Sequence, residues 1–333
     1  MSQTIDVDTW EKLKLQVVRE AGLVDDLLAY LSATIIGQEA LLERLLIGLF
    51  GNGHILLEGF PGLAKTLAAK TLAQSIHAQF NRIQFTPDLL PADILGTMVY
   101  NMHTNEFKVR KGPVFSHFVL ADEINRAPEK VQSALLEVMQ EHQVTIGDTT
   151  YSLDMPFMVL ATQNPIDQSG TYELPEAQMD RFMLKAMVSY PTLENERLII
   201  RRNTLVNNIP PPAFDIKQVT RIQALVRDIH VDTKIESYIL DIVFATRYPD
   251  KYRLQQLKPL IKFGSSPRGS ISLAIAARAY AFLRKRAFVI PDDVKAIAHD
   301  VLRHRIGLTY NAIADNITTD IIIDEILKAI PLP

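Results

Sequence analysis

Four short apolar runs, at residues 55–57, 83–85, 118–121 and 157–161, are each followed by polar or turn residues. Runs of this kind predict strands buried on both faces of a largely parallel sheet. Helical patterns lie between several of them. In residues 128–142, Val131, Ala134, Leu135, Val138 and Met139 fall at i, i+3, i+4, i+7 and i+8, with Pro128 in the first turn, one apolar stripe of a helix. Residues 8–50 also read as helical, with Asp8 as N-cap and Glu11 three positions on completing a capping box. Two insertions interrupt the alternation. Residues 97–112 predict a hairpin around Asn101–Asn105, and residues 143–154 another that turns at Gly147-Asp148. Past Tyr190-Pro191 only helices are expected, with a stiff extended connector over 207–212. The pattern divides the chain into an α/β core at 1–190, with N-terminal helices and the two hairpins, and a smaller all-helical domain at 191–333.

Composition narrows the classes. A chain of 333 residues exceeds the roughly 250–300 residues at which single cores stop growing, so two domains are expected. Hydrophobic content of 47% with 22% charged residues is ordinary for a globular protein. Thirty-five basic and 38 acidic residues leave a net charge of −3, which argues against a protein that lives on nucleic acid. Without cysteine there are neither disulfides nor thiolate metal sites. The eight histidines form no i, i+4 pair beside acids, so no zinc site is expected. Residues 1–8 carry no basic region and no apolar core, unlike a signal peptide. No uninterrupted apolar run approaches the roughly 20 residues of a membrane span, and the expected location is the cytoplasm.

One stretch carries most of the chemistry. Gly59-Phe60-Pro61-Gly62-Leu63-Ala64-Lys65-Thr66 follows an apolar strand and precedes a helix-forming run that begins at Leu67. Strand, glycine turn, lysine and hydroxyl, then helix is the order of a phosphate-binding loop. Backbone N–H groups of the turn and of the helix N-terminus converge on one spot, where the helix dipole favours an anion. Gly59, Pro61, Gly62, Leu63, Ala64, Lys65, Thr66 and Leu67 are the expected nucleotide-binding set. Lys65 would reach the β- and γ-phosphates of ATP, and the Thr66 hydroxyl would complete the shell of a Mg²⁺ ion. Ala64 stands where such loops usually have glycine; a methyl group is tolerable there if the residue has helical dihedrals, whereas Gly59 and Gly62 are the positions expected to need glycine.

Downstream, the apolar strand Val119-Leu120-Ala121 ends in Asp122-Glu123. An acid at such a strand end holds Mg²⁺ in phosphate-loop enzymes, and strand alternation would turn the second acid away from it. Asp122 is therefore assigned to the metal and Glu123 to the attacking water. Ala161-Thr162-Gln163-Asn164-Pro165 repeats the pattern with an amide. Asn164 could bond the γ-phosphate or the water, although Asn before Pro is also a common turn. Arg181 closes a short helix, where dipole pairing would explain a cation equally well. Arg268 follows Ser266-Pro267 at a helix start, where a cation is disfavoured and a nearby phosphate would explain it. Arg303-His304-Arg305 at a helix end, with Asp292 and Asp293 at its start, read as structural.

Taken in order, these elements resemble the AAA+ ATPases, and within them the MoxR family. The resemblance runs through Ile35-Ile36-Gly37-Gln38, the loop at 59–66, residues 85–96, residues 120–127, Ala161–Pro165, residues 174–182 and Ser266-Pro267-Arg268, covering about residues 30–310. Ala64 itself looks like the usage of that family. The resemblance implies an α/β fold, a P-loop NTPase αβα sandwich followed by a smaller all-helical lid. It also implies that Lys65 and Thr66 form the Walker A pair, Asp122 and Glu123 the Walker B pair, and Asn164 sensor 1. Arg181 is similar in place to the arginine finger and Arg268 to sensor 2, and Ile36, Gly37 and Gln38 would lie near adenine. Such proteins hydrolyse ATP with Mg²⁺ in ring homo-oligomers, typically hexamers. They act as chaperone-like remodellers of client proteins, some carrying von Willebrand factor A domains. The rival readings are a nucleic-acid motor, a small-molecule kinase, a magnesium-chelatase-type subunit and a non-enzymatic binding module. Near-neutral charge opposes the first, and the Asp122-Glu123 pair the last; the wording of 120–127 and 174–182 looks more like MoxR than like the chelatase.

Overall fold

In the computed structural model, residues 7–164, 172, 174–203, 212 and 214–333 are described. Pro165 and most of the 207–212 connector fall outside them. The first element, α1 (Val7–Thr34), is followed across Ile35–Gln38 by α2 (Glu39–Phe50). The helix already includes Asp8, so Asp8 lies within α1 and is not its N-cap; helix ends read from sequence drift by a residue or two. Two compact units form, one from Asp26–Phe182 and Ala186–Thr220, the other from Met1–Asp25, Met183–Lys185 and Arg221–Pro333.

The first unit is built on β1 (Ile55–Gly59), α3 (Lys65–Ser75), β2 (Phe80–Gln84), α4 (Pro91–Leu95), β3 (Gly96–Asn101), β4 (Glu106–Lys111), β5 (Phe118–Asp122) and α5 (Glu129–Glu141). There follow β6 (Gln143–Ile146), β7 (Thr149–Ser152), β8 (Met158–Gln163), α6 (Glu176–Met179), β9 (Leu184–Val188) and α7 (Leu193–Asn203). Five strands join in the order β2-β5-β8-β1-β9, and β2 with β5, β5 with β8 and β8 with β1 run parallel. The central runs are as apolar as their burial demands: β1, β5 and β8 are buried along nearly their whole length. The strand near residue 83 departs from expectation. In β2 only Ile83 is buried, while Arg82 and Gln84 are exposed, because β2 is an edge with a single neighbour. Helix α5 packs Val131, Leu135, Val138 and Met139 into a core shared with Leu56, Val119 and Val159, each aliphatic side chain contributing about 1.5–3 kcal/mol on burial. The two insertions pair antiparallel as β3–β4 and β6–β7.

The second unit takes most of α8 (Ile216–Asp228), then α9 (Thr233–Arg247), β10 (Ile261–Phe263), α10 (Pro267–Leu283), α11 (Pro291–Leu302), β11 (Gly307–Leu308), α12 (Tyr310–Ala314) and α13 (Thr319–Ala329). It is helical, with one antiparallel addition that the all-helix pattern did not anticipate: β10 pairs β11, Ile261 opposite Leu308. Strands of two and three residues are too short to leave a period-two signature. Arg303 is tied to Asp300, Asp320 and the Lys185 carbonyl, and buried Arg305 donates to the Met183 and Val301 carbonyls. Asp293, fully buried, pairs with Arg286 and accepts from the Ile290 N–H. These charges are structural, as the sequence suggests. Among the described residues no helix is long and apolar enough to cross a membrane.

Candidate active site

Strand β1 delivers the chain to Gly59, and α3 begins at Lys65. Glycine is required at 59 for space: a Cβ there would stand 2.6 Å from the Val188 carbonyl oxygen. At Gly62 it is required for conformation, with φ +82. Ala64 does not meet the condition of right-handed helical dihedrals under which its methyl group would be tolerated without strain. It is left-handed, φ 58 and ψ 17, as the N-cap of α3, and its carbonyl accepts the first helical bond from the Ala68 N–H at 2.8 Å. The Lys65 ammonium donates to the Gly59 carbonyl at 2.5 Å. Burial lowers the Lys65 pKa, while Asp122, Glu123 and Glu58 pull it back up.

The acids sit at the end of β5. Asp122 Oδ1 accepts from the Thr162 hydroxyl at 2.6 Å, and Oδ2 accepts from Arg82 Nε at 2.9 Å and Nη2 at 2.5 Å. Glu123 is also left-handed, φ 56 and ψ 50. Its backbone has left the extended conformation of β5, so the strand alternation that the sequence invoked does not reach it. The Glu123 N–H donates to the Thr162 hydroxyl at 2.8 Å, so one hydroxyl on β8 holds both residues. Glu123 Oε2 accepts from Gln84 at 3.0 Å and pairs with Arg126 at 3.0 Å. Pro61, Gly62, Leu63, Ala64, Lys65, Thr66 and Leu67 line one cleft of about 390 Å³ together with Asp122, Glu123 and Asn164.

Arg82, Thr162 and Gln163 line the same cleft and were not foreseen. Thr162 and Gln163 lay in plain view beside Asn164, two and one positions before it. Arg82 left no signal, because its place depends on β2 pairing with β5. Gly59, Ile36, Gly37, Gln38 and Arg181 belong to this unit but do not line the cleft. Gln38 is buried and donates to the Ser189 carbonyl at 3.0 Å, and beside these residues Phe60 stacks on Tyr190 at 5.2 Å. Arg181 follows α6, and its buried Nε has no hydrogen-bond partner among the described residues. Arg268 belongs to the other unit, exposed in the first turn of α10, where the Ser266 side chain accepts its N–H at 3.1 Å.

The donor set fits a divalent ion of one kind. Among the described residues no three His, Cys, Asp or Glu side chains gather to cage a metal. Of the two carboxylates and two hydroxyls that line the cleft with a lysine, Asp122 and Thr66 are the pair expected at the metal. Two hard oxygens cannot hold a bare ion, but they suit Mg²⁺, which keeps its waters and arrives with phosphate oxygens.

Comparison with known proteins agrees with this chemistry. The ATPase family associated with various cellular activities (AAA) matches residues 54–184, and the AAA lid domain matches residues 255–326. The chain is 49% identical over 302 residues to Chaperone MoxR1 of Mycobacterium tuberculosis, covering 90% of this chain and 79% of that one. It is 42% identical over 306 residues to protein YeaC of Bacillus subtilis, covering 91% and 93%. Protein MoxR of Paracoccus denitrificans is 30% identical over 301 residues, covering 84% and 87%. The crystal structure of a candidate ATPase from Cytophaga hutchinsonii superposes with a TM-score of 0.88 at 47% identity, covering 98% of this chain and 99% of that one.

Proposed function

The chain belongs to the MoxR family of AAA+ ATPases, and from that premise we propose that it hydrolyses ATP in the cleft described above to drive chaperone-like remodelling of client proteins. The observation that carries the reading is convergence: the phosphate loop, Lys65, Thr66, Asp122, Glu123 and Asn164 come from three separate stretches of chain and line one cleft. Backbone N–H groups of the loop and the N-terminus of α3 bind the phosphate chain, and Lys65 binds its terminal groups. Residues Ile36, Gly37 and Gln38 hold the base. Thr66 and Asp122 would hold Mg²⁺, which when bound would neutralise charge on the phosphates. Glu123 accepts a proton from the attacking water, and Asn164 orients that water.

Arg181 acts on the nucleotide of a neighbouring subunit in a head-to-tail ring, a hexamer, and Arg268 contacts the phosphates in the completed site. Support for a donor in trans is that Arg181 does not line the cleft of its own unit. A finger arginine contributes on the order of 10³–10⁵ to kcat in phosphate-loop NTPases, and head-to-tail contacts close into rings. The relative named a chaperone supports the client reading, and proteins with von Willebrand factor A domains are the client class that the family resemblance implies. The test is ATP turnover of the wild type and of Glu123→Gln, with particle size followed by light scattering. Turnover should vanish in Glu123→Gln while ATP still drives growth to a ring-sized particle. A wild type that binds ATP but neither turns it over nor assembles would refute the reading.

A further inference from the structure

Thr162 and Arg82 divide the Asp122 carboxylate between them. The Thr162 hydroxyl takes Oδ1, while Nε and Nη2 of Arg82 both converge on Oδ2. A cation approaching the oxygen that Thr162 leaves must share it with a guanidinium or displace it. Arg82 Nη2 also donates to Gln84 Oε1 at 2.9 Å, and Gln84 in turn donates to Glu123. A single side chain on the edge strand therefore holds the first acid directly and the second through one amide.

We infer that Arg82 is a positioning residue that competes with the divalent ion for Asp122, and so sets the concentration of ion at which nucleotide binds tightly. The inference rests on the ATP-site reading above and deepens it. Exposure decides that Arg82 can yield. The Arg82 side chain is 50% exposed and that of Asp122 14%, and a partly solvated ion pair is held weakly. The contrast is Arg286 with Asp293, whose carboxylate is wholly buried and could not be left unpaired without a large penalty. A divalent ion at Asp122 interacts with that carboxylate more strongly than a delocalised monocation and repels the guanidinium at the same time. Release of Arg82 also removes the donor to Gln84 Oε1, which loosens one of the two side chains that hold the Glu123 carboxylate. Arrival of the ion thus loosens the proton-accepting carboxylate.

The test needs no turnover. Binding of a fluorescent ADP derivative is titrated with Mg²⁺ and with chelator in the wild type, Arg82→Ala, Arg82→Lys, Asp122→Asn and the double variant Arg82→Ala/Asp122→Asn. With the competitor removed, the half-saturating Mg²⁺ concentration of Arg82→Ala should fall about three- to tenfold. Arg82→Lys should lie close to the wild type, since it keeps a cation in reach. In the Asp122→Asn background the Arg82→Ala effect should disappear, because no carboxylate remains to compete for. An unchanged or increased Mg²⁺ requirement in Arg82→Ala, or the same shift with Asp122→Asn, overturns the inference. A wild type that binds the derivative while Arg82 variants leave the Mg²⁺ requirement unmoved refutes only the role of Arg82. A wild type that binds no nucleotide with or without Mg²⁺ overturns the ATP-site reading, and this inference with it.

Discussion

Ala64 carries a left-handed backbone with φ 58 on a residue that has a Cβ. That conformation costs roughly 1–2 kcal/mol in an L-residue and almost nothing in glycine, while glycine adds roughly 0.5–1 kcal/mol of unfolded-state entropy. Ala64→Gly should therefore stabilise the protein by about 0.5–1 kcal/mol, read as a higher urea midpoint, opposite in sign to Ala→Gly within a helix. His54 shows a different residue-scale cost. Its buried ring donates from Nε2 to the Met139 carbonyl and accepts at Nδ1 from the Val159 N–H, both at 3.0 Å. Only the neutral ring satisfies both bonds. Burial first, and His142 second, press its pKa down from 6.5 to about 4 against the pull of the Met139 carbonyl. Between those values the unfolded chain takes up a proton that the folded chain refuses. Stability is then complete above about pH 6.5 and falls by roughly 3 kcal/mol as the pH drops to about 4. Urea unfolding across that window should give this slope in the wild type and a flatter one in His54→Gln.

Strands β5 and β8 are coupled at their ends by one hydroxyl, which donates to Asp122 and accepts from the Glu123 N–H. Thr162→Val keeps the shape and removes both bonds, leaving a half-buried N–H unpaired at a cost of about 1 kcal/mol. It should lower the thermal midpoint and ATP turnover together, whereas Thr162→Ser should keep most of both. This clamp also shows what a sequence makes visible. Gly59–Thr66 and Asp122-Glu123 are legible because each packs its chemistry and its backbone constraint into a few consecutive residues. Arg82 is not legible, because nothing along the chain states that β2 pairs with β5, opposing Gln84 to Asp122. Edge placement likewise turned the expected doubly buried strand near residue 83 into one with a single buried side chain. The left-handed turns at Ala64 and Glu123 are hidden for a further reason. Tertiary contacts pay for strain that local preference would avoid.

At the scale of the whole molecule, the question is where the last catalytic cation comes from. Arg181 lies outside the lining of its own cleft, with a buried Nε that has no hydrogen-bond partner among the described residues. A place outside the lining suits an arginine that serves the nucleotide of a neighbour, and the proposed ring would supply it across a subunit contact. Mixing separates the alternatives. Lys65→Ala should bind nucleotide poorly, and Arg181→Ala should bind it and turn it over at least about 10³-fold more slowly. If each site combines the phosphate loop of one subunit with the arginine of the next, an equal mixture restores complete sites. With random assembly, about a quarter of the sites pair an intact loop with an intact arginine, since each is present in half the subunits. Turnover of the mixture should then approach a quarter of the wild-type rate, although neither variant is active alone. If Arg181 serves its own subunit, every subunit in the mixture remains defective and no mixing ratio revives activity. A flat response across ratios, in mixtures shown by light scattering to form rings, would place the arginine in cis and remove the reason for hydrolysis to require assembly.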